Sequence, residues 1–218
     1  MSKLSDRHSM FVLRTILCAA ASIIIAAAEP KYENDFEKAE VGSMPEDFLV
    51  LDGNFSVKEQ DGNRFLELPG APLDSFGLLF GPTARENVTV SARFYGEARG
   101  RRLPTFDVGL NGVGGYRLRV SPGKKQLELV RNDEVKEAIP FEWTPGKWTH
   151  LKLTVLKNGE SEWTIQGSAW QEGQPEPKTP MVTTLESDSL PSGRASVFGS
   201  PFSGRPIRFD DFKVSPAG

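Results

Sequence analysis

Apolar and polar residues alternate with a period of two through most of the chain after residue 45. Val88, Val90, Ala92 and Phe94 alternate with Thr89, Ser91, Arg93 and Tyr95. Phe106, Val108 and Leu110 alternate with Asp107 and Gly109, and Tyr116, Leu118 and Val120 with Arg117, Arg119 and Ser121. Leu151, Leu153 and Val155 alternate with Lys152 and Thr154. Successive side chains of an extended chain point to opposite faces, so each set predicts a strand with one face buried and one wet. Shorter runs predict strands at Phe48–Leu51, Phe55–Lys58, Phe65–Leu68, Phe76–Phe80, Leu127–Arg131, Val135–Ile139, Trp163–Ala169, Ala195–Phe198 and Ile207–Val214. Ser121-Pro122-Gly123-Lys124 and Lys157-Asn158-Gly159-Glu160 are predicted hairpin turns, the second because Asn-Gly tolerates positive φ. No long amphipathic helix competes with these runs.

About thirteen strands exceed a small barrel and suit two antiparallel sheets, each burying one face against the other. The predicted class is therefore all-β, a two-sheet sandwich. Fourteen phenylalanines and four tryptophans supply its core. One run breaks the rule. Phe209 and Phe212 flank Asp210 and Asp211, and both rings cannot face inward on an ideal period-two strand, so a bulge is predicted there.

The N-terminus departs from this pattern. Lys3, Arg7 and Arg14 precede an apolar stretch from Ile16 to Ile25, then Ala26-Ala27-Ala28 and the polar Glu29-Pro30. That is the layout of a secretory signal with small residues at the cleavage site. It is shorter than the ~20 apolar residues a membrane-spanning helix needs. Residues 1–28 are thus expected to be a cleaved signal and 29–218 a single sandwich domain, exported to a periplasmic or extracellular space and soluble there. Cleavage removes Cys18, the one cysteine, so disulfides and thiol chemistry are not expected. It also removes Lys3, Arg7, Arg14 and Asp6, taking the net charge from −3 to −5. The charges are interspersed, which argues against a nucleic-acid partner.

An ordered series of segments carries a resemblance. Gly114-Gly115-Tyr116-Arg117-Leu118, Pro145-Gly146-Lys147-Trp148-Thr149-His150-Leu151-Lys152-Leu153, Ile165-Gln166-Gly167-Ser168-Ala169-Trp170, Gly193-Arg194-Ala195 and Phe209-Asp210-Asp211-Phe212-Lys213-Val214 resemble the concanavalin A-like lectin/glucanase superfamily. Within it the chain is most similar to exported laminin-G-like and keto-disaccharide-hydrolase-like sandwich domains, over roughly Phe36 to Val214. The resemblance implies a jelly roll whose first and last strands pair, and a tendency toward glycan binding or processing. Such folds host binders, hydrolases and structural domains alike.

Glycoside hydrolysis uses two carboxylates across a cleft. The Glu-x-Asp-x-x-Glu strand of the superfamily's laminarinase-like enzymes is absent, and the nearest approximations are Glu134 with Glu137 and Glu160 with Glu162. Asp210 and Asp211 have two readings. One is hydrogen bonding to nearby backbone or pairing with Arg205 or Arg208. The other is a Ca²⁺ site assisted by Asn34, Asp35 and Glu37, since calcium takes six to eight oxygens. No other cofactor is expected. His8 belongs to the signal and His150 points outward, so the two histidines form no cluster. Gly112-Val113-Gly114-Gly115 lacks a following helix and reads as a turn.

Sugar binding calls for an exposed aromatic platform beside planar hydrogen-bonding groups. Tyr95, Tyr116 and Trp170 are the candidate platforms, with Tyr116 and Trp170 preferred as ligand contacts and Arg117 and Asp107 as orienting groups. The strand-face row of Asp107, Asn111, Arg117 and Arg119 and the basic loop Arg99, Arg101 and Arg102 would flank them. The leading expectation is a secreted, non-catalytic module that binds an oligo- or polysaccharide. A glycoside hydrolase or related glycan-modifying enzyme is the alternative, and a scaffold domain the third.

Overall fold

The computed structural model of the chain describes residues 31–70 and 74–217, so the expected signal at 1–28 lies outside the described residues. Fifteen strands follow one another: β1 (Tyr32–Asn34), β2 (Leu49–Asp52), β3 (Ser56–Gln60), β4 (Asn63–Leu68), β5 (Phe76–Ala84), β6 (Val88–Tyr95), β7 (Thr105–Gly109) and β8 (Tyr116–Ser121). They continue with β9 (Gln126–Arg131), β10 (Glu134–Pro140), β11 (Thr149–Gly159), β12 (Glu162–Gln171), β13 (Val182–Glu186), β14 (Gly193–Ser200) and β15 (Ile207–Pro216). Among the described residues no helix is long and apolar enough to cross a membrane.

The strands form two antiparallel sheets. One runs β13-β12-β11-β6-β15-β4-β3, with β1 also on β15, and the other runs β10-β9-β8-β7-β14-β5-β2. This is the two-sheet antiparallel sandwich that the alternation predicts, in the jelly-roll, concanavalin A-like form that the resemblance implies. The first and last strands pair as expected, with Tyr32 opposite Val214 and Asn34 opposite Phe212.

Between the sheets lies a core rich in phenylalanine. Phe212 packs edge-on to Phe36 at 5.2 Å and tilted on Phe80 at 4.5 Å, joining the last strand to the first loop and the opposite sheet. Phe94 of β6 stacks on Phe106 of β7 at 5.1 Å across the sandwich. Aromatic pairs of this kind add ~0.5–1.5 kcal/mol each beyond the area they bury.

The predicted bulge exists. The register of β15 against β6 shifts between Asp210 and Lys213, Asp211 adopts φ 52°, and Phe209 and Phe212 are both fully buried. One predicted turn is displaced, and another hairpin turn lies where none is predicted. The β11–β12 loop is Glu160-Ser161, one step beyond Asn158-Gly159, because Gly159 still pairs with Glu162 after a register shift. The β9–β10 loop is Asn132-Asp133 with φ of 51° and 60°, the doubly positive geometry that matches strand twist. That turn holds Asp133 beside the site described next.

Candidate functional site

Strand register builds one continuous row on the outer face of the seven-stranded sheet. Phe198 of β14 pairs with Asp107 of β7, Asp107 with Arg119 of β8, and Arg119 with Glu128 of β9. Their neighbours Val108, Leu118 and Leu129 face the core, so alternation sends this row outward. Phe198 pairs in turn with Gly77 of β5, where a Cβ would stand 2.3 Å from the Phe198 ring. Glycine there lets the ring lie over the neighbouring strand.

The two acids of the row are buried although they are on an outer face. Asp107 is 2% exposed and Glu128 0%. Arg119 donates through Nε to Asp107 Oδ2 at 2.9 Å, and Lys124 donates through Nζ to Glu128 Oε1 at 2.8 Å. Arg117 reaches the same Asp107 oxygen at 3.9 Å, donates to Asp133 Oδ1 at 2.6 Å, and lays its guanidinium 5.0 Å over the Phe198 ring. Each carboxylate is thus only half-used. Asp107 Oδ1 and Glu128 Oε2 are buried with no protein hydrogen-bond donor, and Ser196 Oγ on the same strand as Phe198 is unpartnered as well. Burial pushes the Asp107 carboxyl above its usual range, against the pull of Arg117 and Arg119.

These groups line a cleft of about 380 Å³ together with Thr105, Ser121 and Phe202. A second hollow of about 630 Å³ shares Thr105, Ser121 and Phe202 and is walled by Arg101, Arg102 and Leu103. The two form one groove along the strands. Reciprocal backbone hydrogen bonds of 3.0 and 3.1 Å between Arg99 and Arg102, with Gly100 at φ 62°, fix the arginine loop at its end. Phe202, 38% exposed, stands where the two hollows meet.

The structure brings Asp107 and Arg117 together as expected, with Arg119 between them and Glu128. It separates them from the two expected platforms. Tyr116 is corrected outright: it is 1% exposed, its hydroxyl donates to Glu186 Oε2 at 2.8 Å, and Arg131 covers its ring. It begins β8 on the inward phase shared with Leu118 and Val120, so it offers no face to a sugar. Burial, reinforced by Glu186, raises the hydroxyl's pKa further from neutrality.

Trp170 does project outward, but from the eight-stranded sheet on the far side. It stacks on His150 at 5.1 Å with the rings nearly parallel, beside a depression of about 330 Å³. Burial and Arg93 keep that imidazole's pKa below its ordinary value. Asn111 turns inward instead of lining the sheet, donating to Arg85 O at 2.7 Å.

Asp210 and Asp211 face a guanidinium. Arg93 donates to Asp210 Oδ2 at 2.6 Å and pairs with Asp211 at 2.9 Å, while Asn63 adds a 3.0 Å bond to Asp210. The pairing predicted with Arg205 or Arg208 falls to Arg93 through the β6–β15 register. Asn34 and Glu37 are engaged on the backbone of Phe36 and Arg64, and Asp35 on Glu37. The calcium reading is corrected on these grounds: a fixed cation already fills the place of the metal. Among the described residues no group of three or more His, Cys, Asp or Glu side chains could hold a metal ion. Glu134, Glu137, Glu160 and Glu162 are exposed, Glu137 in the middle of β10 and the others at strand ends or in a turn.

Glu128, Lys124, Phe198 and Phe202 are the site residues that sequence reasoning missed. The alternation of Leu127 and Leu129 with Glu128 already placed that acid outward. Its burial comes from neighbours on β8 and from the β8–β9 turn, which no local pattern reports.

No protein-family model matches the chain, and no curated protein matches its sequence. Solved structures do match in shape. A carbohydrate-binding module, CBM66 of Bacillus subtilis, superposes with a TM-score of 0.52 at 11% identity, covering 78% of this chain and 95% of that one. The carbohydrate recognition domain of Emp47p gives 0.58 at 10% identity, covering 89% and 99%. A Bacillus subtilis protein of unknown function with a galectin-like fold gives 0.59 at 12% identity, covering 87% and 97%. The chain shares the two-sheet jelly-roll fold of these domains.

Proposed function

We propose that the protein is a glycan-binding module whose ligand lies in the groove on the outer face of the seven-stranded sheet. The observation that carries this reading is the pair of buried, half-used carboxylates, Asp107 and Glu128, flanking Arg119 in the lining of a cleft. An unpaired buried acceptor costs ~1–3 kcal/mol, and more when charged. Sugar hydroxyls are donors and acceptors on adjacent carbons, so one ring can satisfy both the carboxylate oxygens and the guanidinium N–H groups. Phe198 and Phe202 supply apolar surface for the C–H face of a ring. Asp107 and Arg117 keep the orienting role expected of them, and Phe198 and Phe202 take the place of Tyr116. The carbohydrate-binding neighbours in shape support the same class of ligand, and the signal-like residues 1–28 extend it to an exported protein.

Binding of a panel of neutral and acidic oligosaccharides, followed by calorimetry, tests the reading. Asp107→Asn and Glu128→Gln each turn an acceptor oxygen into an amide and should cost about 1.5–3 kcal/mol, more than tenfold in affinity. Trp170→Ala should leave affinity unchanged. Affinity that follows Trp170 and ignores Asp107 and Glu128 would move the site to the other sheet.

One observation also favours a catalytic reading. β7 and β9 are separated by a single strand, so Asp107 and Glu128 arise about 9.5 Å apart at the backbone, compatible with the carboxylate spacing of an inverting glycosidase. Release of reducing ends by the intact protein, abolished by Asp107→Asn, would establish it.

A further inference from the structure

Arginines are distributed unevenly between paired and unpaired states. Arg64, Arg93, Arg117, Arg119, Arg131 and Arg208 each pair with a carboxylate. Six arginines form no ion pair among the described residues: Arg85 and Arg194, the latter held by backbone carbonyls, and Arg99, Arg101, Arg102 and Arg205, which belong to one end of the molecule. Arg101 and Arg102 wall the wider hollow of the groove. The Arg99 guanidinium lies against Gly204, next to Arg205. In a chain of net charge −3, this is a concentrated positive rim.

The groove therefore changes character along its length. Around Asp107, Arg119, Glu128 and Lys124 it carries fixed charges of both signs that nearly cancel, suited to hydroxyl groups. Past Thr105 and Ser121 its charged lining groups are Arg101 and Arg102 alone, beside Leu103, Gly123 and Phe202, on a loop whose backbone is tied by the Arg99–Arg102 bridge. Planar guanidinium forks match carboxylate and sulfate oxygens two at a time.

Resting on the groove reading above, we infer that the ligand is an acidic glycan: a chain whose hydroxyls engage Asp107 and Glu128 while a ring carboxylate or sulfate ester is held by Arg101 and Arg102. The source of the anionic group, uronic acid or sulfated sugar, is resolved by the test.

The experiment is calorimetric binding of the intact protein to oligomers of galacturonate, glucuronate and mannuronate and to sulfated galactans, each beside its carboxyl-reduced or desulfated counterpart. At least one acidic member should bind tenfold or more tightly than its neutral counterpart, and the class that does so identifies the anion. Arg101→Gln/Arg102→Gln should erase that preference while leaving affinity for the neutral counterpart as it was, and raised salt should weaken only the acidic ligand's advantage. Equal binding of acidic and neutral members, lost in Asp107→Asn, would overturn this inference and keep the groove. A preference that survives loss of both arginines would also overturn it. Polyglutamate bound as tightly as the acidic sugars would reduce the rim to a general polyanion surface, and absence of binding by every sugar would overturn both readings.

Discussion

At the scale of the residue, Glu128 shows the tension between stability and function most clearly. Its side chain is 1% exposed, one oxygen is held by Lys124, and the other has no donor. A buried charge with half its bonding capacity unused destabilises the fold, and replacement of such groups by apolar side chains of similar volume is often neutral or stabilising. Lys124 is largely exposed and loses little when its partner goes. Glu128→Leu should therefore unfold in urea at the same concentration as the native protein or a higher one, while glycan binding disappears. A destabilisation of several kcal/mol would show that Glu128 is held for folding, contradicting its assignment as a ligand group. Tyr116 illustrates the opposite case, a residue whose polar tip is satisfied internally by Glu186 and whose ring belongs to the core.

At the scale of the element, β15 carries the argument. It pairs with β1, β4 and β6, and the bulge at Asp210-Asp211 lets one strand send Phe209 and Phe212 both inward. Deleting Asp211 removes the extra residue and restores strict alternation, with Ile207, Phe209, Phe212 and Val214 all on the inward face and Phe212 opposite Ala92. The deletion variant should therefore fold and unfold in urea close to the native protein, losing little beyond the exposed pair with Arg93, whereas Phe212→Ala, which empties a buried site, should cost about 3–5 kcal/mol. Asp211→Asn, which keeps the residue count and tolerates positive φ, should stay within about 1 kcal/mol of the native protein, the worth of an exposed pair with Arg93. A deletion variant that fails to fold, or that unfolds as early as Phe212→Ala, would contradict the register.

This bulge was legible in the sequence because two large apolar residues sat out of phase. The interior strands were legible for the same reason. β1 and β13 were not: β1 has three residues, and β13 alternates only Val182 with exposed or half-buried neighbours. The site was half legible. Period two placed Asp107, Arg117 and Arg119 on one face, but which strands lie side by side is a property of topology. Only the β7-β8-β9 order puts Glu128 with Asp107 and leaves Trp170 on the other sheet.

At the scale of the whole molecule, the sandwich presents two unlike outer faces. The eight-stranded sheet carries the stacked His150–Trp170 pair and the closed Arg93–Asp210 network. The seven-stranded sheet carries open acceptors, two aromatic rings and the arginine rim around one groove. The central claim is that the glycan lies on the second face. Backbone amide NMR, recorded while the tightest-binding oligosaccharide of the panel is titrated into isotope-labelled protein, tests this directly. Shifts should concentrate on β7, β8, β9, β14 and the loop of Arg101 and Arg102, with His150 and Trp170 unmoved. Shifts gathered around His150 and Trp170, with Asp107, Arg119 and Glu128 silent, would contradict it.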